Sequence, residues 1–312
     1  MKVNKPKFWD KNYPTIFSIL LLPISYIYQI MFKIKKLFSS ERKFSIPIIC
    51  VGNIYLGGTG KTPLCMKIFE LLKDIKKPIV IKKDYKNQND EIELLRKYSK
   101  VITCDNRNEG IEKAINKNFD LVILDDGFQD FTIRKNLNII CFNDNQKVGN
   151  GLNIPAGPLR ENLSALKRCN IVFINGKKNL EFEEKLKKNN RNLSFYYFNY
   201  YSKNSEEFKN KKLIAFAGIG NASNFFRLLK SERLNVVKEI EFPDHYNYSE
   251  KNLDDLIEME KKYKAKLITT EKDYLRISTF KRRRFSYLPI KVSIEQESDF
   301  LELLKKIKNE NI

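Results

Sequence analysis

The sequence predicts an α/β fold with a mainly parallel sheet, a second, smaller α/β domain and an N-terminal hydrophobic membrane helix. Three observations predict it. From residue 46 onward, short apolar runs alternate with helical patterns, as strands and helices do in βαβ order. The alternation resumes after residue 212, and an uncharged stretch at residues 15–32 stands apart from both. We therefore predict three segments, residues 1–43, 44–208 and 209–312.

Residues 15–32 carry no charged side chain and are just long enough to cross a bilayer. Residues 1–43 hold nine basic and two acidic side chains, and the basic ones flank the apolar stretch on both sides. The flanks therefore give no inside/outside asymmetry. A helix that spans the membrane and a helix that lies on its anionic cytoplasmic leaflet both fit. A buried helix of a soluble domain is the third alternative.

Apolar and helical periodicities predict the individual elements. In the larger domain the strands are 46–52, 78–82, 100–103, 120–125, 138–143 and 170–174, and the helices are 63–73, 91–99 and 107–117. Residues 177–210 are charged and weakly patterned. In the smaller domain a strand and turn at 213–220 precede strands 235–241 and 266–270, with helices at 221–230 and 249–263. Ligands of such sheets bind at the carboxyl ends of the strands.

A glycine-rich turn joins the first strand to the first helix, which is the layout of a phosphate-binding loop in a P-loop NTPase-like sheet. Backbone N–H groups of such a loop surround phosphate oxygens, and the helix N-terminus adds partial positive charge. We predict that nucleotide phosphates bind at Gly57, Gly58, Thr59, Gly60, Lys61 and Thr62. Lys61 reaches the phosphates, and the Thr62 hydroxyl binds Mg²⁺. Tyr55 replaces an earlier glycine of the usual pattern, and a turn without a ligand is the alternative.

Asp125 and Asp126 follow the apolar strand 120–124. A carboxylate at such a strand end, beside a phosphate loop in the same sheet, suits an Mg²⁺–nucleotide site. We predict that one or both aspartates hold the metal together with Thr62. The alternative is a solvated turn.

Two further stretches carry polar groups that fit a site. Residues 149–161 form a glycine- and proline-rich loop that ends in Arg160 and Glu161, and a structural turn is an equal alternative there. His245 is the only histidine and follows the strand 235–241. An imidazole is a plausible proton carrier at neutral pH, although a loop histidine is more often merely exposed.

The chain has 58 basic and 38 acidic residues, a net charge of +20, which suits an anionic membrane, an acidic substrate or a nucleic acid. No RNA-recognition or zinc-finger motif is present, so we expect no nucleic acid partner. Five scattered cysteines lie mostly in apolar runs and predict reduced core thiols in the cytosol.

Taken together, these segments resemble the tetraacyldisaccharide 4′-kinase family, the lipid A kinases of Gram-negative bacteria. The matching stretches are VGNIYLGGTGKTP (51–63), DDGFQ (125–129), GNGLNIPAGPLRE (149–161), AFAGIGNASNFF (215–226), FPDH (242–245) and TTEKD (269–273). They follow the family's order across nearly the whole chain. The resemblance implies ATP- and Mg²⁺-dependent phosphorylation of the 4′-hydroxyl of a tetraacylated glucosamine disaccharide phosphate. It also implies a catalytic body at the cytoplasmic face of the inner membrane, with the lipid A precursor and the anionic membrane surface as partners and no obligate protein partner.

The resemblance also assigns roles to residues. Asp90 and His245 would act as a dyad that takes the proton from the sugar hydroxyl, with Lys61 as the third catalytic residue. Asn53, Arg160 and Glu161 are the candidates for substrate binding. Because His245 lies in the predicted smaller domain, domain closure would complete the site.

The chain departs from the family pattern at several positions. Lys83-Asp84-Tyr85 replaces an Arg-Gly-Tyr turn, and the following loop, 83–91, is short. Tyr246 replaces the second histidine of the family's Asp-His-His, and Asp130 replaces a histidine after the Asp-Asp-Gly-Phe-Gln motif. These changes affect loop geometry and lipid fit more than the reaction class.

Two other functions are weighed against the kinase. A membrane-associated ATPase switch of the deviant phosphate-loop type requires a lysine before the glycines, where this chain has Leu56. A non-catalytic basic adaptor at the membrane would need no Mg²⁺ carboxylates.

Overall fold

The computed structural model describes residues 6–85 and 89–308. The chain divides into two compact units. Of the described residues, the large unit comprises 6–84, 98–199 and 294–308, and the small unit comprises 85, 89–97 and 200–293. The division into three segments, residues 1–43, 44–208 and 209–312, is a statement about independent folding, and it stays a prediction. Residues 1–5 of the N-terminal segment, 86–88 of the short loop 83–91 and 309–312 at the C-terminus lie outside the described residues.

An eight-stranded sheet forms the centre of the large unit, in the order β12-β7-β6-β5-β1-β4-β2-β3. Its strands are β1 (Ile48–Gly52), β2 (Pro78–Lys83), β3 (Val101–Cys104), β4 (Leu121–Asp125), β5 (Leu137–Asn143), β6 (Ile171–Asn175), β7 (Ser194–Tyr201) and β12 (Lys291–Ile294). Every neighbouring pair from β7 to β3 is parallel. The predicted α/β fold with a mainly parallel sheet is therefore confirmed. The central strands β1 and β4 are buried along their whole length, which explains their continuous apolar sequences.

Helices of the large unit cover this sheet. They are α3 (Lys61–Leu72), α5 (Arg107–Asn116), α6 (Leu180–Lys187) and α10 (Glu297–Lys305). Pro63 lies in the first turn of α3, where its missing N–H leaves no intrahelical bond unmade. The side chain of Asn106 accepts a hydrogen bond from Asn108 N at 2.9 Å and caps α5. All five cysteines are buried and free of disulfides, as the sequence predicts.

An α-helix and a β-strand lie in the weakly patterned stretch 177–210, where the sequence predicts neither. They are α6 and β7, and only part of β7 is buried. The ring of Tyr196 on β7 stacks on Phe173 of β6 with centroids 5.3 Å apart, and Phe300 of α10 packs edge-on against Phe173 at 4.9 Å. Aromatic packing therefore stabilises this edge of the sheet. It does not produce the alternation of apolar and polar residues by which a strand is predicted from sequence.

The N-terminal apolar stretch forms two helices, α1 (Ile16–Leu20) and α2 (Leu22–Leu37). The Thr15 side chain caps α1, and Pro23 in the first turn of α2 lacks the N–H that a continuous helix requires there. In the parts of the chain that the structure describes, no helix is both long enough and apolar enough to cross a membrane. The predicted membrane-spanning helix at 15–32 is therefore not supported.

The small unit has its own parallel sheet, in the order β11-β10-β8-β9. Its strands are β8 (Lys212–Ala217), β9 (Asn235–Glu241), β10 (Lys266–Thr270) and β11 (Ser286–Leu288). The helices are α4 (Asn89–Tyr98, up to Lys97 in this unit), α7 (Ala222–Ser231), α8 (Glu250–Tyr263) and α9 (Glu271–Arg276). One apolar cluster includes residues of α7, and a second includes residues of α8. Ser249 and Asn252 form a capping box at the start of α8.

Candidate active site

The phosphate loop follows β1 in the large unit, where the order of strands places β5 and β4 on either side of β1. Such a switch point opens a crevice at the carboxyl ends of the strands. Gly57 and Gly60 have φ values of 139° and 94°, which favour glycine. No side chain caps α3 at Gly60, so no capping side chain competes with an anion for the first N–H groups of the helix. The predicted loop therefore has the backbone geometry that an anion site needs.

The side chain of Asn53 is hydrogen-bonded to this loop. Its Nδ2 donates to the carbonyl of Gly57 at 3.3 Å and to Oγ1 of Thr59 at 3.0 Å. Gln129 Nε2 in turn donates to the Asn53 carbonyl at 2.9 Å and to Glu161 Oε1 at 3.1 Å. The Asn53 side chain is buried, and among the described residues its Oδ1 has no hydrogen-bond partner. Asn53 thus organises the loop, and its predicted role in substrate binding stays a prediction.

Asp125 ends β4 with a fully buried carboxylate. Oδ2 accepts a hydrogen bond from the Thr62 hydroxyl at 3.0 Å and from Lys82 Nζ at 2.8 Å. Lys82 lies opposite Asp125 in the register of β2 and β4, and it is also buried. No motif in the sequence predicted a role for Lys82. A lysine at the end of an apolar strand was the available signal, since a buried ammonium requires a counter-charge.

Asp126 adopts a left-handed backbone conformation with φ of 56°, and its side chain serves other partners than that of Asp125. Arg160 Nη1 donates to both carboxylate oxygens at 3.0 Å, and Lys61 Nζ lies 3.7 Å from Oδ1. Burial disfavours the charged carboxylate, but the charges of Lys61, Arg160 and Lys82 outweigh it and lower the pKa of Asp126 to about 2. Asp126 is therefore an ionised counter-charge for two cations.

The donor chemistry beside the loop fits a magnesium ion. Mg²⁺ in nucleotide sites takes one or two protein carboxylates or hydroxyls and completes its shell with phosphates and water. The Thr62 hydroxyl and the Asp125 carboxylate supply such oxygens within 3.0 Å of each other. Asp126 is occupied by Lys61 and Arg160, so the two predicted metal carboxylates are in different environments.

The loop 149–161 is hydrogen-bonded to the residues between β1 and the glycines of the phosphate loop. Leu56 N donates to the Pro158 carbonyl at 2.8 Å, and Arg160 N donates to the Ile54 carbonyl at 2.7 Å. Glu161 is ion-paired with Arg168. This pairing fixes the position of the Arg160 backbone, and from there the guanidinium reaches the Asp126 carboxylate.

The small unit contains a second polar cluster, which includes His245. Its Nδ1 lies 3.4 Å from Oδ1 of Asp90, which is buried near the start of α4. Nε2 lies 3.9 Å from carboxylate oxygens of both Glu91 and Asp244. The backbone of His245 is left-handed with φ of 53°, and its N–H donates to the Gly218 carbonyl at 3.0 Å. A strained conformation of this kind is common at functional sites. The structure thus brings Asp90 and His245 together.

Two cations to which the sequence motifs assigned no role complete this cluster. Arg276 Nη2 donates to Oδ2 of Asp90 at 2.5 Å and lies 3.3 Å from Nδ1 of His245. Lys272 Nζ donates to Glu91 Oε1 at 2.6 Å and lies 3.8 Å from Asp90. Burial opposes ionisation of Asp90, but the hydrogen bond from His245 and the charges of Lys272 and Arg276 lower its pKa to about 2. The signal in the sequence was the TTEKD motif with an arginine three residues beyond it.

Asp273 holds Arg276 in place. This fully buried carboxylate accepts hydrogen bonds from Arg276 Nη1 at 2.9 Å, from Gly218 N at 3.1 Å and from the Tyr248 hydroxyl at 3.0 Å. Burial and the neighbouring Asp273 raise the pKa of Tyr248. The phenol therefore stays a donor at any physiological pH.

Comparisons with known proteins identify relatives of this chain. A family model described as tetraacyldisaccharide-1-P 4′-kinase matches residues 17–309. A tetraacyldisaccharide 4′-kinase of Pelagibacter ubique (strain HTCC1062) is 43% identical, and the match covers 100% of both chains. One from Rickettsia bellii (strain OSU 85-389) is 33% identical over 89% of this chain and 90% of the relative.

A solved structure has the same fold. The crystal structure of LpxK from Aquifex aeolicus in complex with ATP superposes with a TM-score of 0.69 at 25% identity. The superposition covers 94% of this chain and 99% of the other.

Proposed function

The chain belongs to the tetraacyldisaccharide-1-P 4′-kinase family, and from this premise we propose how its residues carry out the reaction. The protein is an ATP-dependent kinase of lipid A biosynthesis that phosphorylates the 4′-hydroxyl of a tetraacylated disaccharide phosphate. The comparisons do not favour the ATPase switch or the non-catalytic adaptor. The observation that carries the residue assignment is the contact of the Thr62 hydroxyl with the buried Asp125 carboxylate beside a glycine-rich loop.

The loop residues Gly57, Gly58, Thr59 and Gly60 bind the phosphates of ATP through their N–H groups. Lys61 and Arg160 supply positive charge for these phosphates. Both cations share the ionised Asp126, which holds them at one place before the nucleotide arrives. Positioning and charge neutralisation provide most of the catalysis in phosphoryl transfer.

Thr62 and Asp125 would hold Mg²⁺, directly or through water. When bound, the metal neutralises charge that develops on the transferred phosphoryl group. Lys82 donates to the same Asp125 oxygen as the Thr62 hydroxyl and so positions the carboxylate beside it. Asp126 acts on the site through Lys61 and Arg160 rather than as the main metal ligand.

Asp90 and His245 act as the base for the sugar hydroxyl. The Asp90 carboxylate orients the imidazole through Nδ1, and Nε2 accepts the hydroxyl proton. Arg276 positions the pair, because its two Nη atoms contact Asp90 and Asp273. Asn53, Arg160 and Glu161 are the residues proposed for substrate binding, with Glu161 held by Gln129 and Arg168.

The N-terminal helices place the protein on the anionic cytoplasmic face of the inner membrane. More than half of the surface of several large apolar side chains on α1 and α2 is exposed, among them Ile16, Phe17, Leu20, Ile24, Ile27 and Met31. Basic residues follow at the end of α2. A helix with an exposed apolar face and basic residues lies in the interface between lipid headgroups and acyl chains.

Wild-type protein should transfer ³²P from ATP to the lipid disaccharide phosphate, and Lys61→Ala should reduce the rate by about 10²–10³-fold, as loss of one stabilising donor does. Thin-layer separation of the labelled lipid measures the transfer. The control is Lys73→Ala, which changes an exposed lysine just beyond the C-terminal end of α3 and should leave the transfer rate at the wild-type value. Near-normal transfer by a folded Lys61→Ala variant would place the phosphate site elsewhere.

Asp125→Asn and Asp126→Asn should differ in their response to magnesium. Asp125→Asn should raise the Mg²⁺ concentration needed for half-maximal rate, whereas Asp126→Asn should mainly lower the maximal rate because Lys61 and Arg160 lose their counter-charge. Rates measured across a magnesium titration separate the two effects. Asp105→Asn, an exposed carboxylate just after β3, serves as the control. An unchanged magnesium requirement in both variants would make the end of β4 purely structural.

His245→Ala and Asp90→Asn should each lower the rate constant, and His245→Ala by about 10²–10⁴-fold, the usual contribution of a positioned acid–base group. Because the two residues act as a unit, the double variant should be little slower than the slower single variant. Single-turnover rates of the three variants test this, with Asp255→Asn on the exposed side of α8 as the control. Losses that multiply in the double variant would show two independent residues.

Ile27→Glu should weaken binding to vesicles that contain phosphatidylglycerol, because it places a negative charge within the exposed apolar face. We expect a reduction of about tenfold or more, since burial of one large apolar side chain contributes about 1.5–3 kcal/mol. Flotation of the full chain with vesicles measures binding. Ile75→Glu, which changes an exposed isoleucine beyond α3, controls for added charge. Equal binding of the wild type and Ile27→Glu would place the membrane surface on another part of the chain.

A further inference from the structure

Two serines of the N-terminal helices are buried, although the apolar side chains around them are exposed. Ser18 on α1 and Ser25 on α2 are no more than 1% exposed. Ser25 Oγ donates to the Asn153 carbonyl at 2.9 Å and accepts from Ala156 N at 3.0 Å. Ser18 Oγ accepts from Asn150 Nδ2 at 3.0 Å. The inner face of these helices is therefore hydrogen-bonded to the loop 149–161.

The residues before α1 bind the same loop. Trp9 Nε1 donates to the Pro155 carbonyl at 3.0 Å, and Asn150 N donates to the Trp9 carbonyl at 3.0 Å. A Cβ at Gly149 would come within 2.1 Å of that carbonyl oxygen, so the two backbones approach as closely as glycine allows. Asp10 Oδ1 accepts from the Tyr55 hydroxyl at 2.6 Å.

The far end of the loop 149–161 is bonded to the residues that lead into the phosphate loop. Leu56 and Ile54 pair with the backbone of Pro158 and Arg160, as described above, and Tyr55 bridges to Leu159. A continuous set of hydrogen bonds therefore runs from α2 through this loop to Arg160 and to the residue before Gly57.

We propose that the N-terminal helices position the ATP site, and that Ser25 is a positioning residue for ATP binding. The inference rests on the proposed role of the phosphate loop and Arg160 as the ATP site. A buried hydroxyl is costly unless it is hydrogen-bonded, and an alanine would fill the same apolar contact without that cost. Both groups bonded to Ser25 belong to buried residues. Removing the hydroxyl leaves the Ala156 N–H unpaired, and the Asn153 carbonyl keeps only the hydrogen bond from Gly157 N at 2.9 Å. We expect the loop to shift so that the Ala156 N–H finds another partner, and Arg160 to shift with it.

The two faces of α2 have separate tasks in this scheme. The exposed apolar face meets the membrane, and the buried serine face holds the loop. Ser25→Ala alters only the second face. Its effect on ATP is therefore measurable without any lipid.

The test uses the full chain with Ser25→Ala and, separately, Trp9→Phe, which removes the indole N–H and keeps an aromatic ring. Calorimetry with ATP and Mg²⁺, in the absence of lipid, should show that each variant raises the dissociation constant of ATP by about threefold to tenfold, where tenfold corresponds to about 1.4 kcal/mol. In steady-state assays the KM for ATP should rise while the KM for the lipid acceptor stays unchanged. Ser39→Ala is the matched control, because that hydroxyl donates locally to the Lys35 carbonyl at 2.7 Å.

ATP affinity equal to wild type in folded Ser25→Ala and Trp9→Phe overturns the proposal. A rise confined to the lipid KM overturns it as well, because the helices would then serve the acceptor. If Ser25→Ala does not fold, as judged by its thermal unfolding, the result for Trp9→Phe decides. Lys61→Ala is measured in parallel. If it binds ATP normally, the assignment of the phosphate loop fails, and that failure is distinct from the failure of this inference.

Discussion

The buried carboxylate of Asp125 connects three elements of the large unit. Thr62 at the start of α3 and Lys82 at the end of β2 both donate to the same oxygen of a side chain at the end of β4. A buried carboxylate without partners would be strongly destabilising, whereas one with an ammonium and a hydroxyl is compensated. The phosphate loop therefore has a fixed end, because the residue that closes it, Thr62, is tied to the neighbouring strand.

The next residue shows how one turn serves two purposes. Asp126 is left-handed, so its side chain does not follow that of Asp125. It meets Lys61 and Arg160 instead, one cation from α3 and one from the loop 149–161. Adjacent carboxylates that faced the same way would repel each other and raise one pKa. Their separation avoids this repulsion, and each carboxylate organises its own set of donors.

Much of this arrangement could be predicted from the sequence, because it depends on local patterns. The apolar runs predicted the parallel sheet and most strands to within about two residues, and the glycine-rich turn predicted the loop. The strands β7, β11 and β12 were not predicted. The contacts of Lys82 with Asp125, and of Arg276 with Asp90, depend on which strands and helices become neighbours, and no local pattern records that. The prediction of a membrane helix at 15–32 was also made from a local pattern, the absence of charge. Composition indicated one long helix, but Pro23 divides it, and the buried serines show that one face meets protein.

The same logic explains why polar residues occur on the buried side of the N-terminal helices. A helix that only rested on the large unit would be best served by small apolar side chains on that side. Ser18 and Ser25 instead satisfy groups of the loop 149–161. Part of that loop's backbone is hydrogen-bonded within the loop, as Gly157 N is to the Asn153 carbonyl, and the remaining groups need partners outside it. The helices supply them on one side and residues 54–56 on the other. A loop held from both sides keeps Arg160 in one place, which a site that acts mainly by positioning charges requires.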